Sequence, residues 1–195
     1  MALQMRIAAR REFSPLDLWE MHKLRAKVFK DRLGWEVPVV SGMEIDAYDA
    51  LEPLYMLLRE PGHGALRGCW RLLPTEGLYM LKDSFAQLLH GQVAPQHPRI
   101  WELSRFAIET GGSARCGFAN MTLDSIAEII RYGQQAGLEQ YLTVTTTAIE
   151  RLLRRAGVVT ARFGDPLQIG VEHAVALRID IDATYRVLRE QRLAF

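Results

Sequence analysis

The chain has 195 residues, 49% of them hydrophobic, with 24 Lys+Arg against 23 Asp+Glu. This is the length of one domain, able to bury roughly 70% of its unfolded surface without a disulfide or metal, and the apolar share excludes a disordered chain. A formal net charge of +1 excludes a general nucleic-acid coat, which needs a basic excess. Cys69 and Cys116 are too few for a disulfide scaffold and are read as reduced, Cys69 as a small core residue. No stretch approaches the ~20 apolar residues of a membrane span. Met1–Phe13 carries Arg6, Arg10 and Arg11 but no apolar run with a small-residue cleavage site. No signal peptide is read there, and a cytoplasmic protein is expected.

In chain order, Ser14-Pro15-Leu16-Asp17 opens a helix with a Ser cap, Pro at its first position and an acid in its first turn. Leu18, Met21, Leu24 and Val28 supply its buried stripe, and Gly34 ends it after Leu33. Leu54–Leu58 and Ala65–Leu73 read as strands joined by Pro61-Gly62-His63-Gly64. Leu81–His90 reads as a helix stopped by Gly91, and Gly91–Pro98 as a loop. Ile100–Ile108 is a strand, Met121–Ala136 a helix stopped by Gly137, and Tyr141–Thr146 a β-branched strand. Thr147-Ala148-Ile149-Glu150 is a capping box for a helix that ends at Gly157. Val158–Phe163 and Ala174–Ile179 are two more strands, and Asp182 caps a last helix. Helices alternate with strands and hairpins, which predicts a single α/β domain over residues 1–195, with a mixed central sheet and helices on both faces.

Several chemical signatures fail. His22, His63, His90, His97 and His173 are scattered and show no ligand spacing, so no metal site is expected. There is no G-x-S-x-G elbow, no Walker loop and no G-x-G-x-x-G after a strand. Arg59-Glu60-Pro61-Gly62-His63-Gly64 fits the letters of the R-x-x-G-x-G phosphate loop of GNAT acetyltransferases. That loop must run from a strand into a helix so that peptide N–H groups face a pyrophosphate. Here it joins two predicted strands, and the match is set aside.

Other signals hold. Arg25 and Phe29 share a face of the first helix, four residues apart, and Trp35 follows its end. Glu44, Asp46 and Asp49 gather three carboxylates within six residues. Arg71 lies inside an apolar strand, and Glu102 and Arg105 lie inside another. A charge in a central strand costs several kcal/mol unless it is paired. These positions predict one polar pocket between sheet and first helix, or alternatively a structural salt-bridge set. Glu102 and Arg105 point to opposite faces of a regular strand. For both to reach one site, a β-bulge must lie between or beside them.

Taken in order, Arg25-x-x-x-Phe29, Trp35, Glu44-x-Asp46-x-x-Asp49, Arg71-Leu72-Leu73-Pro74-Thr75, Phe85 and Trp101-Glu102-Leu103-Ser104-Arg105 resemble the acyl-homoserine-lactone synthases of the LuxI type. The resemblance runs from about Leu24 to the C-terminus, with no departure at the signature positions. Gly68-Cys69-Trp70-Arg71, Thr143-Val144-Thr145-Thr146 and Ala174–Arg178 look closest to the LasI-like branch, which makes long-chain 3-oxo signals. The resemblance implies a GNAT-like αβα sandwich without the usual acetyl-CoA loop. It implies an acyl carrier protein thioester as donor and S-adenosylmethionine as a substrate, with no cofactor. Its amine is acylated, its carboxylate then closes the lactone, and methylthioadenosine leaves.

On that implied chemistry each residue has an expected role. An α-amine has a pKa of about 7.7–8 and must lose a proton before it attacks. Glu102 is the first candidate for the base and Glu44 the second. Arg25, Arg71 and Arg105 can orient the substrate carboxylate by forked hydrogen bonds. Asp46 and Asp49 can favour the cationic groups or hold Arg25 and Arg71 in place. Phe29 and Trp35 can face the sulfonium or adenine, or be plain core aromatics. Peptide N–H groups near Arg105 or Phe106 are the expected oxyanion donors. Leu103, Phe106, Met80, Leu123, Ile126, Leu142 and Leu188 are candidates for the acyl tunnel, with Thr143 and Thr145 on one strand face. The resemblance assigns Thr145 to a 3-oxo group. Arg151, Arg154 and Arg155 form a helical ridge that is either a docking surface for an acidic carrier or a solvated helix face. Two rival readings remain: an acetyl-CoA-dependent GNAT enzyme, in which Arg71 and Glu102 are structural, and a catalytically silent small-molecule sensor.

Overall fold

A computed structural model of the chain describes residues 3–62, 64–109 and 115–193. In chain order the elements are β1 (Gln4–Ala9), α1 (Pro15–Arg25), β2 (Val39–Val40), β3 (Met43–Glu44), β4 (Leu54–Arg59) and β5 (Leu66–Pro74). They continue as α2 (Met80–Asp83), β6 (Ile100–Ile108), α3 (Arg115–Gln135), β7 (Gln140–Thr146) and α4 (Thr147–Arg155), then β8 (Thr160–Arg162), β9 (Leu167–Ile169), β10 (Glu172–Asp180) and α5 (Ile181–Leu193). The chain divides into two compact units, Met1–Leu72 with Arg105–Ser125 and Leu73–Ser104 with Ile126–Phe195.

In the first unit β1 pairs antiparallel with β4, and β4 with β5. α1 starts where the sequence places it. The Ser14 hydroxyl accepts from the Asp17 N–H at 3.1 Å, and the Asp17 carboxylate accepts from the Ser14 N–H at 3.2 Å. This reciprocal cap satisfies two donors that a helix start leaves bare. Beyond Arg25 the helix widens into a π-helical segment, Ala26–Arg32. Phe13, Met21, Leu24, Val28, Phe29, Tyr55, Leu57, Cys69 and Ala107 pack together as the core of this unit. β1 and the β2–β3 hairpin are absent from the sequence reading; β1 alternates polar and apolar over Gln4–Ile7, and β2 and β3 are two residues each.

The Arg59–Gly64 stretch links two antiparallel strands, with Gly62 at φ +71° and the Glu60 N–H donating to the Ala65 carbonyl at 3.0 Å. It opens no helix, so its peptide groups form a hairpin rather than a phosphate cradle. His63 of that match lies outside the described residues. Cys69 is free and buried, while the Cys116 side chain lies outside the described residues.

In the second unit β6 runs parallel to β7 from Ile100↔Gln140 to Leu103↔Thr143. β7 is antiparallel to β10, which also pairs with β8 and β9. The architecture is mixed α/β with a mostly antiparallel sheet, as the alternation of elements predicts. Some boundaries move. The predicted helix 81–90 is only the short α2 and a separate 3-10 turn, Ala86–Leu89, because Phe85 leaves helical geometry at φ −128°. α3 begins at Arg115, ahead of the predicted Met121. The cap of α4 is Thr146, whose hydroxyl accepts from the Ile149 N–H at 3.3 Å. Glu150 therefore does not close a box with Thr147; it pairs with Arg162 and Arg154 instead. The last helix is capped by Asp180, not Asp182, through the Ala183 N–H at 2.8 Å. β9 is an addition to the predicted strands.

Candidate functional site

The first unit brings six of the predicted charges into one network. Arg25 ends α1 and is fully buried. Its Nε donates to Glu44 Oε2 at 2.5 Å, and its Nη1 and Nη2 donate to Asp49 Oδ1 and Oδ2 at 2.8 and 2.9 Å. Arg71, at the inner end of β5, donates from Nη1 to Asp46 Oδ1 at 2.5 Å and to Asp49 Oδ1 at 3.0 Å. Arg105 donates from Nε to Glu44 Oε1 at 3.0 Å, and its Nη2 lies 2.6 Å from Asp46 Oδ2. Three guanidinium groups thus face three carboxylates. The forked contacts fix orientation as well as charge.

Local structure explains how so polar a group forms. Asp46 caps a 3-10 turn, Ala47–Leu51, by accepting from the Tyr48 and Asp49 N–H groups at 2.9 and 3.2 Å. Asp49 returns the bond, accepting from the Asp46 N–H at 2.9 Å. The acidic run is therefore a folded acceptor platform and not a solvated loop. Arg105 sits in the left-handed region at φ +53°, inside β6. This is a backbone irregularity beside Glu102 and Arg105 in the strand. It turns the Arg105 guanidinium toward Glu44 and Asp46, at the cost of backbone strain for a residue with a Cβ.

Burial and charge act together on the titrating groups. Burial alone would raise the Asp49 carboxyl, but hydrogen bonds and charge from Arg25, with Arg71 and Tyr55, hold it well below the usual carboxylate range. Burial opposes the charge on Arg25 and on Arg71, yet Asp49 with Glu44, and Asp46 with Asp49, more than offset it and raise both. Burial is also the largest influence on Arg105, and with repulsion from Arg71 and Arg25 it outweighs Glu44 and Asp46 and lowers that guanidinium. Arg25, Arg71 and Glu44 are each 0% exposed, while Arg105 and Asp46 retain 12% and 10% of their side-chain surface. The network is closed at its centre and open at the Arg105–Asp46 edge.

Aromatic groups border that edge. Phe29 and Trp35 stack with centroids 5.3 Å apart and planes 4° apart, and the Arg105 guanidinium lies 5.6 Å from the Phe29 centroid. Three supporting residues escaped the sequence reading. The Tyr55 hydroxyl donates to Asp49 Oδ1 at 2.5 Å, directly across the strand pair from Arg71. Tyr48 lies under Arg71 at 5.4 Å. His22 donates from Nδ1 to the Glu44 carbonyl at 2.8 Å, and burial and the Arg25 charge push its pKa down. Their one sequence signal is polarity at apolar-stripe positions, which becomes informative only with the hairpin register.

Glu102 is held differently. It belongs to the second unit, where its Oε1 accepts from the Met80 N–H at 3.0 Å and its Oε2 from the Leu81 N–H at 2.7 Å. It caps the start of α2 from outside that helix. Leu103, Leu142, Thr143, Met80 and Ile126 are buried in the same unit, with Leu103 paired to Thr143 across β6 and β7. Thr145 and Leu188 are half-buried. Phe106, in the first unit, packs on Trp70 at 4.3 Å. Leu123 is 43% exposed, off the buried stripe of α3, so its place as a tunnel residue is not supported.

The basic ridge is only partly available. Arg154 pairs with Glu150 at 3.0 Å, and Arg162 binds the same carboxylate, which these contacts hold below its ordinary range. Arg151 and Arg155 stand exposed. Among the described residues no group of His, Cys, Asp and Glu side chains could hold a metal ion, and no helix is long and apolar enough to cross a membrane.

The chain is similar to known proteins along most of its length. The family model described as autoinducer synthase matches residues 10–187. The acyl-homoserine-lactone synthase of Pseudomonas aeruginosa is 51% identical over 195 residues, covering 96% of this chain and 97% of that protein. The crystal structure of the synthase LasI superposes with a TM-score of 0.89 at 49% identity, covering 95% of this chain and 93% of that one. BjaI, a CoA-dependent acyl-homoserine-lactone synthase whose structure holds SAM and isopentyl-CoA, superposes at 0.86 with 25% identity, covering 97% and 89%. A Lactobacillus plantarum N-acetyltransferase-like chain shares the fold alone, at a TM-score of 0.57 and 14% identity over 93% of this chain and 99% of that one.

Proposed function

The chain belongs to the autoinducer synthase family and is an acyl-homoserine-lactone synthase, and on that premise we propose which substrates it joins and what each side chain does. The amine of S-adenosylmethionine attacks the thioester carbonyl of a long-chain acyl group, 3-oxo-substituted, carried by an acyl carrier protein. The C–S bond breaks and the carrier thiol leaves, taking up the proton lost by the amine. The substrate carboxylate oxygen then attacks its own γ-carbon. That carbon's bond to the sulfonium breaks, the electron pair returns to sulfur, and methylthioadenosine departs. Every electron pair comes from the substrates, so no cofactor enters. The enzyme acts in the cytoplasm.

The observation that carries this reading is the network with one open edge. Arg105 there meets the substrate carboxylate, and Asp46 meets its cationic groups. Arg25, Arg71, Glu44 and Asp49 are positioning residues that hold those two in place. Glu44 is tied to two cations, Arg25 and Arg105, whereas Glu102 is held by neutral peptide N–H groups, so Glu44 fits an organiser better than a base. Glu102 takes the amine proton, directly or through water, with its carboxylate aimed by the two peptide N–H groups at the start of α2. Phe29 and Trp35 form an aromatic wall beside the sulfonium. Leu103, Leu142, Thr143 and Thr145 line the acyl group, and Arg151 and Arg155 receive the acidic carrier.

The test is direct. Purified enzyme is mixed with S-adenosylmethionine and acyl thioesters of increasing length, plain and 3-oxo, on carrier protein and on CoA. Methylthioadenosine and lactone are followed by mass spectrometry. Fastest turnover is expected with a long 3-oxo chain on the carrier. Preference for CoA thioesters overturns the donor, and absence of both products overturns the whole reading.

A further inference from the structure

Strand β5 presents two chemically opposite faces in the first unit. Cys69 and Arg71 turn one way, Arg71 into the ionic network. Trp70 turns the other way, because successive strand residues alternate. Its cross-strand partner is Met56, and the next such pairs are Leu58 with Gly68 and Leu54 with Leu72. Gly68 leaves its place to Ile108, whose Cδ1 lies 2.5 Å from where a Cβ would stand. Phe106, the residue after the left-handed Arg105, packs on the Trp70 ring at 4.3 Å and 39°. Met56, Leu58, Leu72 and Ile108 are almost fully buried. This face is made of hydrocarbon.

One polar atom breaks that pattern. Trp70 is 6% exposed, and its indole Nε1–H is buried with no hydrogen-bond partner among the described residues. A buried indole N–H ordinarily finds an acceptor, since leaving one unmade costs stability. Phe would fill this position without that cost. The surroundings also define the acceptor that suits it. The described neighbours named here are aliphatic and aromatic, with no cation among them. A neutral oxygen attached to an apolar chain fits, and a charged one does not.

We propose that Trp70 is a specificity-determining residue whose indole N–H donates to a carbonyl oxygen of the bound acyl group. The inference rests on the substrate reading above and adds to it a named donor. Two successive residues then serve two substrates: Arg105 turns to the ionic network, and Phe106 steadies the indole that meets the acyl group. The acceptor is either the thioester carbonyl or the 3-oxo group, which share this chemistry.

Trp70→Phe removes the donor and keeps an aromatic ring. Its kcat/KM for acyl donor should fall about tenfold, the size of one hydrogen bond lost in a dry site. KM for S-adenosylmethionine should not move, since Trp70 is no member of the ionic network proposed to hold that substrate. If the thioester carbonyl is the acceptor, plain and 3-oxo donors lose equally; if the 3-oxo group is, only the 3-oxo donor loses. Wild-type rates with both donors would overturn the assignment. A second measurement on the wild-type enzyme does not depend on how the variant folds. With ¹⁵N-labelled indoles, an unreactive amide analogue of the acyl donor should shift one buried indole proton downfield and slow its exchange. Four unshifted indole signals, one for each of the 4 Trp, would overturn it equally. A wild-type enzyme that makes no lactone sinks the substrate reading instead, so the two failures are separable.

Discussion

The ionic network of the first unit and the aliphatic strands and basic helix of the second are built on opposite principles. The first is a closed set of three guanidinium and three carboxylate groups, each costly to bury and each secured by at least two partners. The second uses Leu, Thr and Ile at positions where any α/β domain has them, together with arginines on a solvated face. The difference teaches where function leaves a mark. Buried charge is so unfavourable that its presence demands a reason. Buried aliphatic surface demands none.

The largest effect should come from the carboxylate at the start of α2. Glu102→Gln should lower turnover about 10²- to 10⁴-fold, the range of a lost general base, read as methylthioadenosine release. The amide also sets an NH2 against a peptide N–H of Met80 or Leu81, so a loss of about 1–3 kcal/mol in stability should accompany it. A variant that is destabilised yet turns over normally would make Glu102 a cap and nothing more.

Next comes the network itself. Arg25→Ala leaves Glu44 and Asp49 without their shared cation, and removing one partner of a buried pair costs about 3–5 kcal/mol. At about 2–4 °C per kcal/mol for a chain of this size, the melting temperature should fall by roughly 6–20 °C. Arg105→Lys, at the open edge, should behave otherwise. It keeps a cation beside Glu44 and Asp46, so it should cost less stability than Arg25→Ala, and it should raise KM for S-adenosylmethionine about tenfold, because a point charge cannot reproduce a fork. Equal stability losses for the two variants would erase the distinction between positioning centre and substrate-facing edge.

These contrasts explain how much was legible. Arg25, Arg71 and Arg105 could be singled out as charges on an apolar helix face or in apolar strands, and Glu44, Asp46 and Asp49 as carboxylates gathered within six residues, and the structure unites all six. Alternation asks for an irregularity near Arg105 only if Glu102 and Arg105 share one site; the left-handed φ at Arg105 could not be read from sequence. Glu102 violated the same pattern, but sequence does not reveal that two peptide N–H groups hold it. Tyr55 and His22 stayed hidden, because a Tyr in a strand and a His on a helix are ordinary until register brings them to Asp49 and Glu44. Leu123 was offered for the tunnel because it is apolar, and apolarity alone does not tell that it stands 43% exposed. The helix predicted over 81–90 failed for a related reason: its residues are apolar enough, but Phe85 breaks the backbone path.

A smaller effect is expected on the basic helix. Arg151→Glu and Arg155→Glu should each raise KM for carrier-bound substrate about three- to tenfold, with kcat and KM for S-adenosylmethionine unchanged. Added salt should act on the wild-type enzyme in the same direction. Arg154→Glu should affect docking less, because that guanidinium is already engaged by Glu150. Equal KM values for carrier-bound and CoA-bound donors in all three variants would return the ridge to a solvated face.

The smallest effect concerns pH, and it separates the two units again. Each holds a carboxyl below its ordinary value, Asp49 in the first and Glu150 in the second. A depressed carboxylate contributes stability that is present above its unfolded pKa, near 4, and is lost as pH falls through the folded value. Both units should therefore weaken only in acid below about pH 4 on this account. His22 in the first unit is the exception. Its pKa is lowered from the ordinary 6.5 by burial and by Arg25. The unfolded chain then binds a proton that the folded chain refuses, so stability falls as pH drops from about 6.5 toward the folded value. Urea unfolding between pH 7 and 5 should show this decline in the wild-type enzyme. His22→Asn keeps a donor for the Glu44 carbonyl but cannot take a proton, so its stability should be flatter across the same window. Parallel slopes for the two proteins would remove His22 from the network's pH dependence and leave the arginines and carboxylates to account for it.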